Sequence, residues 1–107
     1  MLAVRNSLAA ADAGLSGRQK RHLRGLAQRL DPAVFVGDEG ITPGLLRALD
    51  EALAAHELVK VRMRAPADKK AMAAELARAS GATLAGLVGH TVVLFRRNAE
   101  EPVIALP

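Results

Sequence analysis

The sequence predicts a small α/β (α+β) domain in which three helices pack on a mixed four-stranded sheet. Three observations carry that expectation. Apolar residues recur at helical spacing in three separate stretches, and short apolar or alternating runs lie between and after them. The length of 107 residues provides for one core and little more. Read along the chain, the order is α-β-α-β-α-β-β. Helices between strands imply right-handed crossovers, and the last two strands imply an antiparallel hairpin.

The first helix starts at Ser16. Ser16 with Gln19 three residues on has the capping-box pattern. Leu23, Leu26, Ala27 and Leu30 then fall on one stripe. Arg18, Lys20, Arg21, Arg24 and Arg29 occupy the rest of the circumference, and no acid lies between Ser16 and Leu30. An exposed helix ordinarily mixes signs for pairing at i,i+4, so five cations without an anion point to an anionic partner. A solvated face is the plainer alternative.

Asp31-Pro32 stops this helix, and Ala33-Val34-Phe35-Val36 reads as a buried strand bounded by Pro and Gly. The loop Gly37-Asp38-Glu39-Gly40 follows. Thr42 as N-cap and Pro43 at the first helical position open a second helix. Its stripe of Leu45, Leu46, Leu49 and Leu53 ends near His56. Val59, Val61 and Met63 alternate with Lys60, Arg62 and Arg64, which predicts a strand with one core face and one basic outer face. After the loop Ala65-Pro66-Ala67, Asp68 caps a third helix with stripe Met72, Ala73, Leu76 and Ala79, closed by Gly81. Strands from Thr83 to Val88 and from Thr91 to Phe95 are joined by Gly89-His90, which suits a type II′ hairpin. Residues 1–14 read as a loose arm, 15–97 as the domain, and 98–107 as a short tail with no clear period.

Composition excludes much. There is no cysteine, hence no disulfide, thiolate zinc site or cysteine nucleophile. No apolar run approaches the roughly 20 residues that span a bilayer, so a cytoplasmic protein with no membrane partner is expected. Phe35 and Phe95 are the only aromatics, which argues against a site built on stacked rings. His22, His56 and His90 form no H-x-x-x-H pair, and the eleven carboxylates form no paired-carboxylate segment. No catalysis, cofactor, metal or small-molecule substrate is expected. A net charge of +4 suits a polyanion.

Gly37-Asp38-Glu39-Gly40 lies between a strand and a helix N-terminus, where backbone amides favour an anion. It lacks the Gly-Lys-[Ser/Thr] ending of a phosphate-binding Walker loop and the G-x-G-x-x-G of dinucleotide sites. A G-x-x-G loop before a helix is also how KH modules clamp a nucleic-acid backbone. A plain tight turn is the competing reading.

Several blocks together resemble one family. Leu15-Ser16-Gly17-Arg18-Gln19-Lys20-Arg21 with Leu23-Arg24, Val36-Gly37 with Gly40-Ile41-Thr42, His56-Glu57-Leu58-Val59-Lys60-Val61, and Gly89 with Val93-Leu94-Phe95-Arg96 resemble the CRM domain (chloroplast RNA splicing and ribosome maturation). The overlap runs from about Leu15 to Arg97, and a stand-alone domain of this length resembles the bacterial YhbY family. The resemblance implies a fold like the C-terminal domain of translation initiation factor 3. It also implies an RNA-binding protein acting in ribosome assembly, on ribosomal RNA in precursors of the large subunit; separately, a monomer is expected. The candidate RNA contacts are Arg18, Lys20, Arg21, Arg24, Gly37, Asp38, Glu39 and Gly40, with Lys60 and Arg62 from the basic strand face. The loop interior departs from the family, being Asp38-Glu39 where a basic residue is usual, and Asp31 likewise stands where a basic residue is common. The backbone amides and the basic helix remain. A protein-interaction adaptor, docking an acidic partner on the same basic face, is the alternative.

Overall fold

A computed structural model describes residues 14–107; the expected arm, Gly14 apart, lies outside the described residues. The chain runs through α1 (Gly17–Ala27), β1 (Val34–Val36), α2 (Pro43–His56), β2 (Leu58–Met63), α3 (Lys69–Ser80), β3 (Thr83–Val88) and β4 (Thr91–Phe95). The strands form one sheet in the order β1-β2-β4-β3. β1 and β2 are parallel, while β4 runs antiparallel to both β2 and β3. The expected fold class and element order are therefore present, and β4 takes a central position.

The helix ends follow from the capping residues. Ser16 Oγ accepts from the Gln19 amide (3.1 Å) and Gln19 Oε1 accepts from the Ser16 amide (3.0 Å), completing the capping box. Thr42 Oγ1 accepts from Leu45 N–H, and Asp68 Oδ1 accepts from Ala71 N–H. Gly81 ends α3 at φ 71°, where a Cβ would be strained. In the hairpin, Gly89 has φ 58° and His90 does not share the positive value, as a II′ turn requires.

Two apolar clusters lie on opposite faces of the sheet. The larger joins α2 and α3 to the sheet through Leu49, Leu53, Val61, Leu76 and Leu94, all fully buried. The smaller lies under α1 and comprises Leu23, Ala27, Leu58, Ala85, Val93 and Phe95.

Four details differ from the sequence reading. In α3, Ala77 is buried and Ala79 exposed, because Ala73, Leu76 and Ala77 centre the buried arc and Ala79 falls about 110° away from it at 100° per residue. The α1 stripe is shorter than expected: the helix ends at Ala27, and Leu26 and Leu30 remain partly exposed. β2 is not wholly basic on its outer face, since Leu58 is buried under α1. Phe35 is not buried; Val34 and Val36 point into the core and Phe35, between them, is 64% exposed.

The C-terminal segment is docked on the smaller cluster, where Ile104 and Leu106 pack. Glu57 holds it there. This residue caps α2 with φ 63°, turning the chain directly into β2, and its buried carboxylate accepts from the amides of Asn98 (2.7 Å), Val103 (2.9 Å) and Ile104 (2.7 Å). Burial by itself pushes the Glu57 carboxyl up, but the three amides together with the charge of Arg97 outweigh it and hold the group below its ordinary value.

A depressed folded-state value means that the unfolded chain takes up the proton more readily. The stabilisation is therefore complete above the unfolded value of about 4.3 and is lost as pH falls through the lower folded value. Glu57→Gln keeps the shape but cannot accept at both ends of the group. It should cost about 1–3 kcal/mol for the stranded amides and flatten the acid limb of a stability-against-pH curve measured by urea unfolding.

Candidate nucleic-acid interface

Strand register assembles the open part of the α1 face. Phe35 stands beside Arg62, Arg62 opposite Thr91, and Thr91 opposite Val88, so these four form one row across the sheet. Phe35 and Val88, at the two ends of the row, are 64% and 67% exposed. The next row, Lys60–Val93–Gly86, meets the C-terminal half of α1. Lys60 Nζ donates to the Leu30 carbonyl (3.0 Å), fixing the chain beyond the helix to β2.

Arg24 sets the helix on the sheet. Its Nη1 donates to the Ala85 carbonyl of β3 (3.0 Å), and its aliphatic stem lies against Gly86. A Cβ at Gly86 would come within 2.5 Å of Arg24 Cδ and 2.8 Å of Cγ. Arg24 is thus half-buried and structurally engaged, which differs from its expected place on a free outer face. Arg18 and Arg21 are exposed, and Lys20 is half-buried.

The G-x-x-G loop closes at the neighbouring sheet end, where the Gly40 amide donates to the Gly37 carbonyl (3.1 Å). Gly40 has φ 73° and needs glycine for that reason. Gly37 has no such requirement, and a Cβ there would meet nothing within 4 Å. Asp38 lies 3.8 Å from Arg64 Nε, with both side chains in water, so the pair contributes little to stability. Glu39 is exposed.

Two open hollows connect these parts. One, of about 420 Å³, is lined by Phe35, Gly37, Arg62, Arg64 and His90 among others. The other, of about 280 Å³, is lined by Arg24, Gln28, Lys60, Val88 and Thr91 among others. Among the described residues, neither has a carboxylate in its lining. Gly37 and Arg62 are brought together in the first, with Asp38 at its rim through Arg64. Arg24 and Lys60 meet in the second. Arg18, Lys20 and Arg21 lie further toward the start of α1, and among the described residues no hydrogen bond or ion pair ties their side chains to the loop.

Sequence reasoning puts Arg64 on the basic strand face without naming it as a contact, and misses Phe35 and His90 as part of this surface. A usable signal existed for Phe35. In a strand, a residue between two core valines must face the other way, the same way as Arg62 in the neighbouring strand.

The arrangement is one of fixed cations and backbone amides around an open surface. Among the described residues, no group of three His, Asp or Glu side chains is placed to hold a metal ion, and no helix is long and apolar enough to cross a membrane.

Comparison with known proteins is consistent across sequence and structure. A model of the CRS1 / YhbY (CRM) domain matches residues 15–96. A Haemophilus influenzae protein named "RNA-binding protein" is 41% identical over 96 residues, covering 87% of this chain and 95% of its own length. A Bacillus subtilis protein named "Probable RNA-binding protein YqeI" is 37% identical over 95 residues, covering 87% of this chain and 99% of its own length. The solution structure of a hypothetical protein from Staphylococcus aureus superposes with a TM-score of 0.76 at 36% identity, covering 87% of this chain and 99% of that one.

The Arg24–Gly86 contact has a measurable consequence. Gly86→Ala should cost about 1–3 kcal/mol by overpacking against the arginine stem. In an Arg24→Ala background the same change should cost less than about 0.5 kcal/mol, a coupling of the size expected for touching residues. Urea unfolding of the four proteins in the cycle measures it; additive costs would mean that the two residues do not constrain each other.

Proposed function

Since the chain belongs to the CRS1 / YhbY (CRM) domain family, we propose that it binds RNA with the open part of its α1 face. We further propose that it acts without catalysis, as a cytoplasmic monomer, in assembly of the large ribosomal subunit, on ribosomal RNA in its precursors. The observation that carries the RNA reading is the cluster of Arg24, Lys60, Arg62 and Arg64 in and between two hollows beside the G-x-x-G loop. The names of the similar proteins support the same reading. The large-subunit assignment rests on the family resemblance.

Affinity on such a surface comes chiefly from neutralised phosphates, with release of condensed counterions. The exposed Arg18 and Arg21 extend the positive field along α1. Gly37 leaves room for a phosphate to approach the loop backbone, while Asp38 offsets part of the charge of Arg64. The acidic loop therefore moderates affinity and weakens attachment to the wrong polyanion.

Filter-binding titrations of large-subunit precursor RNA, repeated from low to moderate salt, test this. Arg21→Glu and Arg62→Glu, at exposed positions, should each reduce the log-log salt slope by about 1 and leave the fold intact. Asp38→Lys should tighten binding several-fold at low salt. Binding of the ribosomal RNA no tighter than that of bulk polyanion would remove the assembly reading. Retained binding of an acidic protein with none of RNA would favour an adaptor.

The two loop glycines separate folding from contact. Gly40→Ala should lose about 1 kcal/mol of stability because of its positive φ. Gly37→Ala should unfold like the unmodified chain yet bind RNA more weakly, since its Cβ would occupy the space of approach. Equal RNA binding by Gly37→Ala and the unmodified chain would place the loop outside the footprint.

A further inference from the structure

Phe35 is one of only two aromatic residues in the chain, and it is spent on the surface. Its neighbours Val34 and Val36 serve the core, so the strand forms without help from the phenyl ring. The ring also gains no cover from α1, whose cluster ends at Leu58, Val93 and Phe95. What surrounds it is cationic: Arg62 is its cross-strand neighbour on the same face, and Arg64 lines the same hollow with Gly37 and His90.

We infer that Phe35 stacks an unpaired nucleobase, while Arg62 and Arg64 hold the phosphates on either side of it. This deepens the RNA reading above and rests on it. The ligand class is RNA with an unpaired nucleotide, such as a bulge or a loop, beside a helical stem.

Geometry and charge favour this occupant. β1 is the edge strand, so one side of the ring is open to a base swung out of a helix. Adjacent strands lie about 4.8 Å apart, which puts the long Arg62 side chain within reach of a phosphate flanking a base stacked on Phe35. An apolar protein segment covering Phe35 would desolvate Arg62 and Arg64 without supplying an anion. A nucleotide supplies both a π-face and a negative charge, and stacking tolerates any base. Fully paired RNA offers no free base face and uses the cations alone.

Two hairpin RNAs of the same stem test the inference, one fully paired and one with a single extrahelical 2-aminopurine. The full-length chain should bind the bulged RNA about ten-fold more tightly, within the range found for one stacked base, and alter the 2-aminopurine fluorescence. Phe35→Ala should bring the two affinities together, leaving the affinity and salt slope for the paired hairpin unchanged. Phe35→Tyr should restore the preference, and Phe35→Leu should not. Equal binding of both hairpins by the unmodified chain, with a steep salt slope, would overturn the stacking role and leave the RNA reading standing. A preference that survives Phe35→Ala, or that Leu restores as fully as Tyr, would also overturn it. Binding of neither hairpin would overturn both.

Discussion

The fold is governed by how unequally the two faces of its sheet are covered. One face lies under two helices, α2 with 14 residues and α3 with 12. The other has only α1, with 11. A helix of that length is about 16 Å long and, with its side chains, about 10 Å across. Four strands about 4.8 Å apart present a wider face than one such helix can shield. Part of that face must meet water, and the residues there are those that tolerate it: Lys60, Arg62 and Thr91, with Phe35 and Val88 at the margins. The cationic surface is thus what remains of a sheet face after a single helix has taken its share.

Which share the helix takes is set by specific contacts. Arg24 seats one end of α1 against β3, and glycine at position 86 makes the approach possible. At the other end, Gln19 Nε2 donates to the Pro107 carbonyl, and Leu15 joins Ile104 and Leu106 on the smaller cluster. The C-terminal segment does part of the work that a second helix does on the opposite face. It has no regular hydrogen bonding of its own, so Glu57 supplies acceptors for its amides. One residue therefore turns α2 into β2 and fastens a segment more than 40 positions away. Asp50 and Arg96 brace the opposite layer, with Arg96 Nη1 donating both to Asp50 Oδ1 and to the Ser80 carbonyl.

Much of this was legible in the sequence because local chemistry dictates it. Ser16 with Gln19, Thr42 with Pro43, and Asp68 with Gly81 mark helix ends through interactions that span only a few residues. Gly89 marks the hairpin in the same way. The features that were not legible depend on long-range partners. Arg24 looks like any cation at the border of an amphipathic helix until a carbonyl 61 positions away is placed beside it. The tail shows little pattern because only Ile104 and Leu106 pack and the rest is held through backbone amides, which leave no trace in residue type. Phe35 is obscured differently: a short apolar run reads as buried on both sides, although its residues alternate between faces. The basic helix and the G-x-x-G loop were both visible as candidates, but the aromatic member of the surface was not.

The order β1-β2-β4-β3 also bears on how the chain is made. β4 is the last of the four described strands in chain order, and it lies between β2 and β3. Before it emerges, β3 has no strand partner and β2 has only the three-residue β1. The segment that seals the α1 layer follows β4 and is later still. A ribosome translating this message therefore carries a chain whose helices can form in turn but whose sheet cannot close. The sheet closes only once β4 is available, and the α1 layer is sealed only by the segment that follows it.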